Sequence, residues 1–530
     1  MKRFNGIALS VAFCSLASQA ALAQTKIDTL KVQNLNEVIV KGVRATKEAP
    51  YAVANIRKSE LKQFSCSGQE LPFLLSRTPG ILAWSENGIG TGTTYMRIRG
   101  AAGSRINVTL DGVALNSPED QTVFWANMNS YSSLLGSIQV QRGVGSSTNG
   151  DGAFGGSISM ATAAPSLTPT AEVTGSFGSY NTYHTGASFS TGLLGKHLIF
   201  DGAYHETATD GYVDGTAGRS GSYYGGLTWL GDNFKISYKN IGNFEKTGQA
   251  WNGVLGGDYN SNFTLLQDGI RTYKDMYKAG LDKFNVLTGD MVRNDKGDYT
   301  ITPYTLRDGS KWDKTTDNFY QNHNILSATW TPGSHWSHSL SLHYTYGYGY
   351  YKEFKNNAKF AKFGLIYKDA EGNKVKKSDF IRKKGLTQHT YGMVYNTNYK
   401  DEHWDVIGGL NLQQFRGNHW GYLTYIANQD AEKKFFGSNG KYKYYDSDAH
   451  KYDYSAFVKA SYRFADYWNA FADLQYRRVE YKTDGINDKF IALKDGSYKN
   501  QELNINEKYN FFNPKAGISF NKDGHKAYAS

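Results

Sequence analysis

The sequence predicts a mainly β protein, with a small N-terminal α+β unit inside a large transmembrane antiparallel β-barrel. Three observations carry the prediction. From Thr170 onward, long segments alternate apolar and polar residues, as strands do when one face meets lipid and the other a polar lumen. The chain opens with the pattern of an export signal. The stretch Thr94–Ala161 alternates in Met96/Ile98, Ile106/Val108/Leu110 and Ile138/Val140, yet is so rich in Gly-Gly and Asp-Gly steps that it has tight turns and little bulk. Something larger must enclose it.

Lys2 and Arg3 precede an apolar run from Gly6 to Ala17, and Ala21-Leu22-Ala23 supplies a small-x-small cleavage pattern. Residues 1–23 therefore read as a signal peptide. The run is shorter than the ~20 residues that a membrane helix needs. Cys14 leaves with the signal and Cys66 remains alone, so no intrachain disulfide can form.

Losing Lys2 and Arg3 lowers the net charge from +11 to +9. The lysines are dispersed through polar loop-like stretches, and in an exported chain this argues against a nucleic-acid partner. With 39 Tyr and 57 Gly against 9 Pro, and no later apolar run long enough for a membrane helix, the composition fits a secreted β-protein or an outer-membrane barrel.

Residues 24–49 form an N-terminal segment. It holds Leu35-Asn36-Glu37-Val38-Ile39-Val40-Lys41-Gly42, a β-branched run suited either to adding itself to another protein's sheet edge or to serving as an ordinary first strand. From Ile56 to Ile81 the chain reads as partly helical. Ser59-Glu60-Leu61 is a start signal, Leu71, Leu74 and Leu75 keep helical spacing, and Thr78-Pro79-Gly80 stops the run.

Glu37-Val38-Ile39-Val40 resembles the energy-coupling box of TonB-dependent outer-membrane receptors. LPFLLSRTPGI, MRIRG, INVTLDGVALN, IQVQRG and the glycine-rich run closing on GGSISM follow in the order found in that family's plug domain. The resemblance implies a plug, here residues 50–165, inside a barrel of ~22 strands that begins at residue 166. It also implies import driven by TonB and its inner-membrane energising complex. Glu37, Val38, Ile39 and Val40 would bind TonB. Arg99 and Arg142 match the two plug arginines that the family pairs with barrel-wall carboxylates, and the sequence does not identify those carboxylates.

The barrel reading stands independently of the resemblance. In Ser339–Tyr350, Leu340, Leu342, Tyr344, Tyr346, Tyr348 and Tyr350 share one face, while Ser339, Ser341, His343, Thr345, Gly347 and Gly349 share the other. The same period recurs in Tyr452–Arg463 and Trp468–Arg477. Tyrosines near strand ends fit the aromatic girdles of a membrane barrel. Tight turns at Trp330–Ser334, Ala465–Tyr467 and Asn521–Gly524 contrast with long charged stretches at Gly248–Thr316, Lys355–Lys384 and Gly421–His450. That asymmetry places the turns in the periplasm and the loops outside. Trp251, Tyr259, Trp312 and Tyr425 in those loops are candidate ligand contacts, since rigid rings give contact area at small entropic cost.

Several patterns are decoys. Gly150-Asp151-Gly152-Ala153-Phe154-Gly155 satisfies G-x-G-x-x-G but runs into a strand, without the helix N-terminus a pyrophosphate needs. His335 and His338 flank a turn, and His403 and His419 lie far apart on one strand, so neither pair makes a metal site. No catalytic motif is present, and no enzyme activity, cofactor or metal is expected.

The expected function is active import of a scarce ligand across the outer membrane of a Gram-negative cell. The partners would be TonB, outer-membrane lipid and an iron complex or similar small ligand. A ferric siderophore is favoured over haem, cobalamin or an oligosaccharide. A passive or adhesive barrel would explain the alternation and the signal but not the ordered plug motifs. Roughly 13 strands can be counted, against the even numbers usual in single-chain bacterial barrels and ~22 in plugged transporters. Ser530 also falls within a short strand start and is not a terminal aromatic residue. The expectation is a C-terminally truncated chain with an open sheet around the plug.

Overall fold

The computed structural model describes residues 44–45, 52–144, 154–251, 253–254 and 263–530. The signal peptide, the Leu35–Gly42 run with Glu37–Val40, and Tyr259 lie outside the described residues.

The N-terminal unit contains β1 (Ala52–Arg57), β2 (Ile81–Ser85), β3 (Thr94–Ile98), β4 (Ile106–Leu110), β5 (Val113–Ala114), β6 (Leu135–Arg142) and β7 (Gly156–Thr162). Five of these make a sheet in the order β1-β6-β7-β4-β5, parallel only between β4 and β7. β2 and β3 form a separate hairpin. The expected helices lie at Lys58–Ser65 and Leu71–Leu75. Glu60 caps the first by accepting from the Arg57 backbone N–H at 3.2 Å, and Pro72 sits in the first turn of the second, where its missing N–H costs nothing. Gly80, at φ +82°, turns the chain after Pro79 into β2.

Every residue of β4 is buried. Ile106, Val108 and Leu110 join the core with Leu61, Phe64, Val140, Ile158 and Met160. Asn107 and Thr109 on the opposite face are equally buried, as are Gln141, Ser157 and Ser159 of the neighbouring strands. A small sheet buried on both faces needs an enclosing wall, and the wall is the second sheet.

That sheet has 13 strands. They are β8 (Thr170–Gly178), β9 (Thr182–Ser190), β10 (Leu198–Thr209), β11 (Gly218–Leu230), β12 (Phe234–Gly248), β15 (Thr316–Trp330), β16 (Trp336–Lys359), β19 (Lys377–Lys400), β20 (Trp404–Ile426), β21 (Tyr442–Ala465), β22 (Trp468–Ala492), β23 (Tyr498–Lys522) and β24 (His525–Ala529). Between them, the outer loops carry the small hairpins β13 (Gly289–Arg293) with β14 (Tyr299–Pro303) and β17 (Tyr367–Lys368) with β18 (Lys374–Val375). Each of the 13 pairs antiparallel with the next in sequence, and among the described residues no pairing joins β8 to β24. The sheet is open, with the strand number the sequence indicated.

Side-chain alternation follows the expected faces. Leu340, Leu342 and Tyr348 are exposed on β16, while Ser339, Ser341, His343 and Thr345 are buried toward the lumen. Aromatic residues form a band at the short-turn end, where Trp404 packs on Tyr462 at 4.5 Å, Trp336 on Tyr399 at 5.1 Å and Trp468 on Phe520 at 5.1 Å. Farther from the short turns a second aromatic group holds Tyr223, hydrogen-bonded to Tyr320 at 2.7 Å, and Tyr346, 6.3 Å from Tyr320 between ring centres. Between the bands the outward residues are Leu326, Leu410, Leu412, Val458 and Leu474, the belt a lipid core requires. Among the described residues no helix is long and apolar enough to cross a membrane.

Two loop boundaries need correction. Gly248 pairs with Thr316, so the first outer loop begins and ends as expected. β16 and β19, however, stay paired out to Lys359 and Lys377, and β20 and β21 out to Leu423 and Tyr442. The stretches Lys355–Lys384 and Gly421–His450 are therefore partly strand. Beyond the bilayer both sheet faces can be wetted, so alternation fades while backbone pairing continues.

The N-terminal unit meets this wall through polar groups. Lys239 on β12 donates to Asp111 Oδ2 at 2.6 Å and to Thr162 Oγ1, with lysine and aspartate both buried. Asp111 also accepts from the Thr162 backbone N–H at 3.0 Å, and the Coulomb field of Lys239 with these hydrogen bonds holds its carboxyl below the usual carboxylate range despite burial. Asn243 donates to Tyr131 Oη at 2.9 Å. Replacing Lys239 by Ala leaves the Asp111 carboxylate buried and unpaired, and should loosen the inner unit by about 3–5 kcal/mol. Faster hydrogen exchange in β4 and β7 is the expected signature, with most protection recovered in the paired variant Asp111→Asn, Lys239→Met.

Candidate functional site

Two cavities lie on the long-loop side, between the tips of the inner unit and the barrel wall. One, of about 410 Å³, is lined by the 114–128 stretch and by β12, β15, β16, β19 and β20. The other, of about 440 Å³, lies between the β2–β3 hairpin and the segment from Glu245 to Trp251. They share Thr122, Val123, Phe124, Glu245, Asp317 and Tyr351.

The loop that divides them is held from within. Asn116, buried, accepts from Val108 N and donates to Ile106 O and Gln121 O, each at 2.8 Å. It is also held by the wall, because Glu119 accepts from Tyr481 Oη at 2.8 Å and contacts His419 Nε2 at 2.6 Å. Lys451 donates to Pro118 O at 2.8 Å. The second tip is tied similarly. Glu86 accepts from Tyr95 Oη at 2.7 Å and from Ala250 N at 2.9 Å, and Thr93 donates to Gln249 at 2.8 Å. Burial raises the Glu86 carboxyl above its ordinary value against these hydrogen bonds.

Aromatic walls complete the second cavity. Trp251 meets Tyr351 edge to face at 5.2 Å, and Trp84 stacks on Tyr95 at 5.4 Å. Of the described sequence candidates, Trp251 lines the second cavity. Trp312 is buried against Phe354 beneath the Lys352 ammonium, and Tyr425 accepts from Arg307 N at 2.7 Å. Both order the outer loops. Among the described residues no cluster of three or more His, Cys, Asp or Glu side chains is arranged to hold a metal ion.

Arg99 and Arg142 converge on the Pro79–Gly80 turn. Arg142 Nη1 donates to Pro79 O at 2.9 Å, and Arg99, exposed at φ +50°, donates its backbone N–H to Gly80 O at 2.7 Å. Among the described residues neither guanidinium pairs with a carboxylate, so the coupling role inferred from their motif remains a proposal. The buried Asp111–Lys239 ion pair joins plug to wall, and sequence reasoning missed it. Asp111 lies in the INVTLDGVALN motif, but nothing local marks Lys239 as its partner. His419, set aside as a decoy in the sequence, meets Glu119 from 300 residues away.

Residues 45–157 match the family model described as TonB-dependent Receptor Plug Domain. No curated protein matches the chain significantly in sequence. Among solved structures, the ferric yersiniabactin uptake receptor FyuA from Yersinia pestis is similar at a TM-score of 0.60 and 12% identity, over 90% of this chain and 63% of that one. The ferric-catecholate import receptor Fiu from E. coli K12, closed form, matches at 0.64 and 12% identity, over 92% and 65%. The unliganded ferric citrate transporter FecA matches at 0.61 and 13% identity, over 96% and 65%. The chain therefore spans a little under two thirds of the length of these structures, and the likeness is one of fold.

Glu70, wholly buried beside the second tip, has its carboxyl pushed up to about 8 by desolvation. A carboxyl whose folded value lies above its unfolded one stabilises most below the unfolded value, about 4.5, and that contribution is lost as pH rises through about 8. Thermal stability should fall as pH rises from about 4.5 to about 8, and Glu70→Gln should flatten that dependence in a calorimetric pH series.

Proposed function

We propose that this chain, a TonB-dependent receptor with a plug inside a β-barrel, serves in active uptake of a ferric chelate, most simply a siderophore, across the outer membrane. The observation that carries the reading is the position of the cavities. Both lie on the long-loop side of a plug that matches the family over residues 45–157. Ligand captured there meets the plug tips directly, so a pull on the plug from the periplasm acts on the surface that holds it. A filled lumen sacrifices passive flux, which is useful when the solute is scarce and work is supplied.

The proposed partners are TonB with its energising complex on the periplasmic side, outer-membrane lipid around the belt, and a small iron complex outside. Glu37, Val38, Ile39 and Val40 are the proposed TonB-binding strand, docking by main-chain hydrogen bonds. The ferric ligands named for FyuA, Fiu and FecA support an iron cargo over haem, cobalamin or an oligosaccharide. Residues 1–23 are proposed as the cleaved export signal. The tip loops sealed to the wall by Glu119, Pro118 and Thr93 favour a gated receptor over a passive pore.

Val38→Pro removes a backbone donor from the docking strand. Uptake of radiolabelled ferric chelate by cells expressing the protein should fall to background, with surface binding unchanged. Uptake at the parent rate in this variant would remove the energy-coupled reading.

A further inference from the structure

We infer that the junction of the two cavities is a subsite for a cationic nitrogen, an ammonium or guanidinium group carried by the ligand. The inference rests on reading these cavities as the ligand site. Glu245 projects inward from β12, is 7% exposed and lines both cavities, and its Oε2 has no hydrogen-bond partner among the described residues. Asp317 lines both as well. It stands on the adjacent strand opposite Thr247, and Thr247 shares the lumen face of β12 with Glu245. The charged groups that act on Glu245 are Asp317 and Glu70 of the plug, all acids.

Among the described residues, the basic side chains lining these cavities form no ion pair with Glu245 or Asp317. Lys384 pairs with Asp488 at 2.7 Å, His419 contacts Glu119, and Arg97 donates to Gly100 O at 3.1 Å. Among the described residues, neither Glu245 nor Asp317 has an ion-pair partner. A buried carboxyl among acids keeps its proton until a positive group meets it and lets it ionise, and the open cavity is where one can arrive.

The aromatic surroundings indicate which cation. Trp251, Tyr351, Trp84 and Tyr95 line the second cavity beside the acids, and ring faces attract ammonium and guanidinium ions. A bare divalent metal would need more oxygen or nitrogen ligands in a fixed geometry, and the described residues offer no such cluster. The geometry points to an organic cation seated on the Glu245–Asp317 pair between aromatic walls, with the rest of the ligand filling the first cavity.

The test compares two ferric trihydroxamates that differ only in charge: ferrioxamine B, which ends in a free ammonium, and its N-acetylated form. Calorimetric titration of the purified protein should show the ammonium form bound at least about tenfold more tightly. Glu245→Gln should reduce that preference to within about twofold, and Asp317→Asn, a milder change at a half-buried position, should reduce it in part. Equal affinities, no binding of either complex, or a preference that survives both substitutions would overturn the inference. The uptake reading fails separately, when a bound complex enters Val38→Pro cells as fast as parent cells.

Discussion

The two-sidedness of the barrel strand is the constraint on which the rest of this structure depends. Inside a bilayer every backbone group must be paired and every outward side chain apolar, so each alternate residue is left pointing into a lumen that lipid cannot fill. In this chain those residues are serines, histidines, lysines and acids. Whatever occupies the lumen must answer polarity with polarity.

The plug meets that demand with a sheet whose two faces differ. One side of β4, β6 and β7 packs on the helices as an apolar core, and the other presents Asn107, Thr109, Gln141, Ser157 and Ser159. Its seam with the wall includes the buried Asp111–Lys239 pair and the Asn243–Tyr131 hydrogen bond. A seam of this kind is directional and specific, and it can be broken and remade without exposing a large apolar surface. That property suits the energy-coupled uptake proposed for this plug.

Above the membrane the constraint relaxes, and the architecture changes with it. Strands continue as paired backbone, the lumen widens between the tips and the wall, and space for a ligand opens where polarity no longer has to be matched residue by residue. Glu245 and Asp317 stand at that transition. Glu245 projects from the face of β12 that meets the plug through Lys239 and Asn243, with Asp317 on the neighbouring strand, and among the described residues no lysine pairs with either acid.

Periodicity was enough to place the strands, their lipid and lumen faces, the aromatic bands and the helices before Pro79, because each depends on residues close together in sequence. The ordered motifs identified the plug for the same reason. Strand ends beyond the membrane were not legible, since alternation is enforced only where lipid touches one face. The partnerships at the site were not legible either: Asp111 with Lys239, Glu119 with His419, and Glu245 beside Asp317 join residues dozens to hundreds of positions apart. Trp312 and Tyr425 show the limit most clearly. As aromatic loop residues they are candidate ligand contacts, and only the tertiary structure shows what each packs on, Trp312 against Phe354 and Tyr425 against the Arg307 backbone. The sequence by itself determined which residues face lipid and which face the lumen, because the pleat obeys a local period of two. Only the tertiary structure decided which lumen residue meets which plug residue, because that depends on where the sheet curves and how deep the plug sits.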